Sequence, residues 1–205
     1  MTIQFNVLHG ESGRQLAKDL ASLRIHVFRE YPYLYEGDLA YEEKYLERYF
    51  RSKESLIAFA KDGNHVIGAT TALPLTDESE SVKKPFLDRG IDPDDYMYFG
   101  ESVVLTEYRN QGIGKKFFEL RLKHALSTGR SRACFCAVDR GHDHPLKPET
   151  YRNLVEFWER MGFEPSGFHC LMSWKDLTES GESPKKMNYF INDQIRDEST
   201  HKQSA

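Results

Sequence analysis

The chain of 205 residues is poor in cysteine, with Cys134, Cys136 and Cys170 alone. The number is odd, the first two lie too close together for ordinary pairing, and no zinc-type spacing occurs. A disulfide framework and a metal site are therefore not expected, and a reducing, cytoplasmic setting is. Long hydrophobic runs are also lacking, so no membrane-spanning segment is expected. The start Met1-Thr2-Ile3-Gln4-Phe5 has no basic stretch followed by an apolar one, so no signal peptide is expected either. Charge of one sign is missing as well: 28 Lys and Arg stand against 32 Asp and Glu, a net charge of -4. With no basic surplus to meet phosphates, nucleic acid is not the expected partner. No internal repeat is visible.

What is present suffices for a folded core. Hydrophobic residues make up 39% and aromatics 13% of the chain, which together with its length points to one domain over 1–191 and a polar, disordered tail over 192–205. Ile3, Phe5 and Val7 alternate as in a strand. Leu16, Leu20, Leu23 and Val27 recur at helical spacing, predicting a helix from about Arg14 to Glu30 that Pro32 ends. A second helix is predicted over Leu39 to Arg51. Strands at Ser55–Lys61 and His65–Leu73 flank the hairpin turn Asp62-Gly63-Asn64. The acidic stretch Thr76–Asp95 reads as a long loop with a short helix near Pro85–Arg89. A strand over Tyr96–Leu105, a helix over Gln111–Ser127 and a buried strand over Ala133–Val138 follow. A helix over Glu149–Met161, with Leu154 turned inward, stops at Gly162. Strands at Phe168–Trp174 and Lys186–Ile191 close the order. The fold class is therefore α/β (α+β), a mixed, mostly antiparallel central sheet flanked by about four helices.

The most informative segment runs from Val103 to Lys116. A buried strand ends, turns tightly and opens a helix whose first backbone N–H groups are free and whose dipole is positive there, an arrangement that suits a pyrophosphate. Gly112 lets the backbone approach phosphate oxygens, Gly114 is expected to let the helix sit close to the strand, and Arg109, Lys115 and Lys116 add positive charge. Two rival motifs fail. A P-loop would need Gly at Arg109 and Ser or Thr at Lys116. A dinucleotide fingerprint would need a small residue where Phe117 stands.

Arg109-x-x-Gly112-x-Gly114 after an apolar strand resembles the pyrophosphate motif of the GNAT superfamily of acyl-CoA N-acyltransferases. The later helix ending in Met161-Gly162-Phe163 is similar to that superfamily's Gly-Phe stop, and the element order agrees over roughly Ile3 to Ile191. The resemblance implies a V-shaped splay between the fourth and fifth strands that takes acetyl-CoA as acyl donor. The pantetheine arm would pair with the backbone of Ser102, Val103 and Val104, and the pyrophosphate would meet the N–H groups of Asn110, Gln111, Gly112, Ile113, Gly114 and Lys115. An N–H near Val104 would polarise the thioester carbonyl.

Direct transfer to an amine needs a base and a donor for the leaving thiolate. A carboxylate near the start of the motif strand often serves as base in this superfamily, which points to Glu101. The usual acid, a Tyr, falls five residues before Phe163, where Trp158 stands; an indole is no acid at neutral pH. Tyr151, two turns up the same expected helix, is the substitute candidate, with Cys136 and Tyr108 behind it. In the superfamily the region between the first two helices borders the acceptor cleft, so Tyr33, Tyr35 and Glu36, with Asp38 beside them, are candidates for holding a cationic amine. His142 and His144, in a loop rich in His and Pro, are candidates for base or acceptor contact, and His144 is the one assigned to the acceptor. The expected acceptor is a small amine. A protein lysine or N-terminus, and a binding module of the same fold with weak catalysis, stay open beside it. Many members of the superfamily dimerise, which implies a homodimer as the partner state.

Overall fold

The computed structural model describes residues 2–141 and 143–196. Seven strands form one sheet in the order β1-β2-β3-β4-β5-β7-β6. Strands β1 (Gln4–Leu8), β2 (Leu56–Asp62), β3 (His65–Pro74) and β4 (Tyr96–Val104) pair antiparallel in sequence. Strand β5 (Arg132–Val138) runs parallel to β4 and antiparallel to β7 (Glu182–Asn192), which pairs in turn with β6 (Glu164–Lys175). Five helices, α1 (Ala17–Phe28), α2 (Leu39–Arg51), α3 (Glu80–Leu87), α4 (Ile113–Ser127) and α5 (Val155–Arg160), complete the expected mixed fold.

Alternation along β4, shifted by one residue where its register with β3 breaks between Phe99 and Ser102, divides the core between the two faces of the sheet. Tyr96, Tyr98 and Val103 pack with Leu20, Leu23, Tyr49 and Phe86 of α1, α2 and α3. Met97 and Phe99 pack with Phe118 and Ala125 of α4 and with Phe163. Two glycines show why the local sequence is what it is. Gly63 turns the β2–β3 hairpin at φ +58, as expected from Asp62-Gly63-Asn64. Gly162 ends α5 at φ +82, and the Phe163 N–H closes back onto the Trp158 carbonyl.

Several boundaries differ from the sequence expectation. The helix expected over Glu149–Met161 is only Val155–Arg160. The Asn153 carboxamide takes the Val155 N–H at 3.0 Å and opens the helix there, a local side-chain bond that competes with an earlier start. Leu154 is consequently 50% exposed, not inward, and Tyr151 sits in the preceding turn, not on a helix. The helix expected near Pro85 begins at Glu80, where the Ser79 carbonyl takes the Val82 and Lys83 N–H groups. Helix α4 begins at Ile113, because Asn110 (φ +63) and Gly112 (φ +82) hold the turn in left-handed backbone. Of the polar tail expected from Asn192, Asn192 itself closes β7, and Ile195 is buried and donates its N–H to the Ser131 carbonyl. The rest of that tail, residues 197–205, lies outside the described residues, as does His142. Among the described residues no helix is long and apolar enough to cross a membrane.

Candidate active site

Strands β4 and β5 pair over three positions only, Tyr96–Arg132, Met97–Ala133 and Tyr98–Cys134. Beyond them β4 stays with β3 and β5 stays with β7, so the two strands part. This is the expected splay. Its β4 wall carries backbone groups that the sheet does not use. The Leu105 N–H goes to the Ile67 carbonyl of β3, and the Val103 carbonyl lies against Gly68 of β3. Alternation then turns the backbone of Ser102 and Val104 toward the splay. Val103, expected to pair with a pantetheine arm, is buried and gives its backbone to the sheet instead.

At the end of β4 the chain passes through the turn into α4. The first helical bond is Lys116 N–H to the Gly112 carbonyl. The N–H groups from Asn110 to Lys115 have no acceptor among the described residues; for the four from Gly112 to Lys115 helix geometry requires it, and those of Asn110 and Gln111 belong to the turn. Ile113 is 2% exposed and anchors the turn beside Ile67 and Phe117, so the free N–H groups are presented by a fixed element. A Cβ on Gly112 or Gly114 would meet nothing within 4 Å. For Gly112 the requirement is its positive φ and open backbone. The close packing expected of Gly114 is absent, since Ile113 carries the contact with the sheet. The row of free donors and the open glycines fit a pyrophosphate.

Arg109 differs from its expected part. Its guanidinium makes a two-pronged pair with Glu30, at 2.8 and 3.1 Å, and its Nε donates to the Val104 carbonyl at 3.0 Å. Burial pushes the Glu30 carboxyl up, but Arg109 and the Thr106 hydroxyl outweigh it and hold the carboxyl below the usual range. The charge of Arg109 is thus largely matched within the protein, and its role is to clasp the end of β4 to the end of α1. Lys115 and Lys116 are exposed, with Glu119 at 4.0 and 3.4 Å.

Midway along β4 the register breaks. Phe99 pairs with Ala72 and Ser102 with Thr70, so Gly100 and Glu101 together face Thr71, a β-bulge. A Cβ on Gly100 would overlap the Tyr49 hydroxyl and Thr71 Oγ1; only Gly fits. The bulge turns Glu101 toward α1 and α2. Its Oε2 accepts from Arg24 Nη1 at 2.5 Å and from the Tyr45 hydroxyl at 3.2 Å. Arg24 also donates through Nε to Glu42 at 2.5 Å. All three charges are buried, their side chains 8% exposed for Arg24, 0% for Glu42 and 1% for Glu101. Glu101 Oε1 is buried and has no protein partner. Glu101 is therefore not a solvated strand-end residue: one oxygen is fixed and the other is left to accept.

The acceptor-side candidates divide. The Tyr33 ring stands 4.4 Å from Phe28 and 5.9 Å from Trp174. Burial pushes its phenol well above the usual value, and Cys136, Arg24, Tyr151 and Glu101 all lie within electrostatic reach of it. Arg140 fixes this segment, donating to the carbonyls of Pro32 and Tyr33 and pairing with buried Asp176 at 2.6 Å. Tyr151 stacks edge-on against Tyr31 at 4.7 Å, and His144 lies 5.6 Å from the same ring; burial raises the Tyr151 phenol. Tyr31 thus joins two candidates that are distant in sequence. Tyr35 and Glu36 stand apart. Tyr35 is 8% exposed and bridges Asp176 as part of the core, and Glu36 is exposed and paired with Lys175 at 2.8 Å. Asp38 caps α2 through the Tyr41 N–H. Trp158 packs on Phe135 and Phe190, at 5.1 and 4.7 Å, on the α4 face. Hydrogen bonding with Cys170 and burial raise the Cys136 thiol well above its usual value.

Sequence reasoning missed Arg24, Glu42, Tyr45, Arg140 and Arg121. A signal existed for two of them. Arg24 follows Leu20 by four residues on the apolar stripe of α1, and Arg121 stands between Phe117 and Ala125 on that of α4; a charge on a buried stripe needs a partner or a ligand.

The family comparison agrees with this geometry. The acetyltransferase (GNAT) family model matches residues 20–163, and the chain belongs to that family. Its members are typically enzymes that use acetyl-CoA. Among solved structures, an N-acetyltransferase from Staphylococcus aureus Mu50 is similar at TM-score 0.59 and 10% identity, over 94% of this chain and 99% of that one. An aminoglycoside 6'-N-acetyltransferase complexed with coenzyme A is similar at TM-score 0.57 and 17% identity, over 96% and 98%. NAA60 of Arabidopsis thaliana, in complex with a bisubstrate analogue, is similar at TM-score 0.58 and 16% identity, over 93% and 98%. At these identities the likeness is one of fold. No protein of curated function matches the chain in sequence.

Proposed function

We propose that residues 1–191 form one N-acyltransferase domain that transfers the acetyl group of acetyl-CoA to a small primary amine, by direct attack in a ternary complex. The observation that carries this reading is the continuity of the unpaired β4 edge with the free N–H groups of the turn, a strip that fits an extended arm ending in a pyrophosphate. Ser102 and Val104 would hold the arm, and Asn110 to Lys115 its phosphates. Bound acetyl-CoA supplies an activated acyl carbon. The Ser102 N–H suits the thioester carbonyl better than that of Val104, because it neighbours Glu101, where the proton must go. Glu101 Oε1 takes the proton of the acceptor ammonium, whose pKa is near ~10. On the acceptor side Tyr33 and Tyr151 would orient the amine through their phenols, and Tyr151 would protonate the departing sulfur. Proximity supplies much of the rate. The relative that acts on aminoglycosides supports a small amine as acceptor.

One observation favours a second reading, a CoA-binding module with little catalysis: the position of the usual acid is Trp158, packed among Phe135 and Phe190. Thiol release from acetyl-CoA separates the readings when measured with a panel of small primary amines and with peptides bearing lysine or a free N-terminus. Saturable release with a small amine is the expected result. Release with peptides alone would move the acceptor to proteins, and none with any amine would leave the binding module.

A further inference from the structure

A base held by a cation faces two opposed demands. The cation fixes the carboxylate in place, but it also favours the ionised form and so weakens the pull on a proton. Arg24 is such a cation for Glu101, and a second carboxylate sits on the same guanidinium. Nη1 donates to Glu101 at 2.5 Å, and Nε donates to Glu42, in the first turn of α2, at 2.5 Å. The guanidinium lies 5.0 Å from the ring centroid of Phe28 and 3.9 Å from that of Tyr45, so rings of α1 and α2 hold it between them. Burial opposes the charge of Arg24, but Glu101, Tyr45 and Glu42 outweigh it and hold the group well above its usual value. The Glu42 side chain is 0% exposed, and a carboxylate so deeply buried is costly unless it is paired.

We propose that Glu42 is a positioning residue for the transfer: it shares the charge of Arg24 with Glu101, so that Arg24 fixes the base without taking its basicity. This rests on the reading that Glu101 takes the acceptor's proton. The balance of charge supports it. With Glu101 ionised, the triad carries two negative charges against one positive. With Glu101 protonated, Arg24 and Glu42 remain as a matched pair. If Glu42 were neutral, ionised Glu101 would itself be the matched partner of Arg24 and would keep that ion pair in preference to a proton. The other groups that face Glu101 do not balance Arg24 in this way. Tyr33, Tyr45 and Tyr49 are phenols pushed up by burial. Glu78 is bound to Arg48 at 2.5 Å. Arg121 acts from the other face of the sheet, between Phe99 and Phe118. On the far side of Glu42 stands the Tyr35 phenol, which burial also raises.

The pH dependence of kcat/KM, measured on the full chain with acetyl-CoA and the best amine of the panel, tests it. The acidic limb reports the essential base of the free enzyme. In Glu42→Gln that limb should move to lower pH by about one pH unit or more, the size of effect that a charge at this range has on a carboxylate. Glu42→Leu removes the same charge and should show the same movement, so either variant decides the matter once its melting curve shows it folded. Glu42→Asp keeps the charge and should keep the wild-type limb. A limb that stays in place in the charge-free variants, or moves as far in Glu42→Asp, would overturn the proposal and leave the reading of Glu101 intact. A wild type that transfers to no amine, or a Glu101→Gln variant that keeps the wild-type rate, would overturn that reading and the proposal with it.

Discussion

Glu101→Gln should lower kcat by about 10²–10⁴-fold, the usual contribution of a positioned general base, and leave acetyl-CoA affinity unchanged. The substitution keeps the shape of the side chain and an oxygen that still accepts from Tyr45, so the β4 bulge is preserved. It removes the anion that takes the ammonium proton. The unchanged affinity matters because the carboxylate points to α1 and α2, away from the strip assigned to the cofactor. Steady-state kinetics with the best amine of the panel, paired with a binding titration, measures both. A kcat within a few-fold of the wild type would mean that Glu101 is there for Arg24 and not for the reaction.

Arg24→Met should destabilise the protein by about 3–5 kcal/mol, the cost of leaving buried charges without their partner, and lower Tm by roughly 10 °C. Arg24 is shared by Glu42 and Glu101, whose side chains are 0% and 1% exposed, so one truncation strands two carboxylates. Removing both ends should cost less than the sum: Arg24→Met with Glu42→Gln should recover part of the loss, because neighbouring changes of this kind do not add. Thermal and urea unfolding of the single and double variants decides it. A melting point of Arg24→Met equal to the wild type's would show that the triad contributes nothing to stability.

The parts of the site that are local in sequence were the readable ones. Gly112 and Ile113 sit in a strand–turn–helix whose chemistry follows from neighbours a few residues away, and the splay followed once that motif was placed. Long-range partners were not readable. Glu101 is visible as a carboxylate on a strand, but that Arg24, 77 residues earlier, fixes it is a fact of packing. The same holds for Arg109, whose charge turns to Glu30 across 79 residues. Helix α5 was overextended because the apolar spacing that includes Leu154 is helical on paper, whereas Asn153 offers a competing hydrogen bond that periodicity ignores. Tyr151 moved with that error, from a helix face to a turn against Tyr31. The acceptor side was the least legible, since Tyr33, Tyr35 and Glu36 are alike in sequence and separate only when Trp174, Asp176 and Lys175 fold back onto them.

The seat of the cofactor is the claim on which the rest depends, and titration of the wild type and of Gly112→Glu with acetyl-CoA by calorimetry tests it most directly. Gly112 lies at φ +82 with open space where a Cβ would be, so the new side chain strains the turn and carries its charge to where phosphate oxygens are expected. The wild type should bind in the micromolar range and the variant should lose at least a hundredfold. Absence of binding by the wild type, or equal binding by both proteins, would contradict the account.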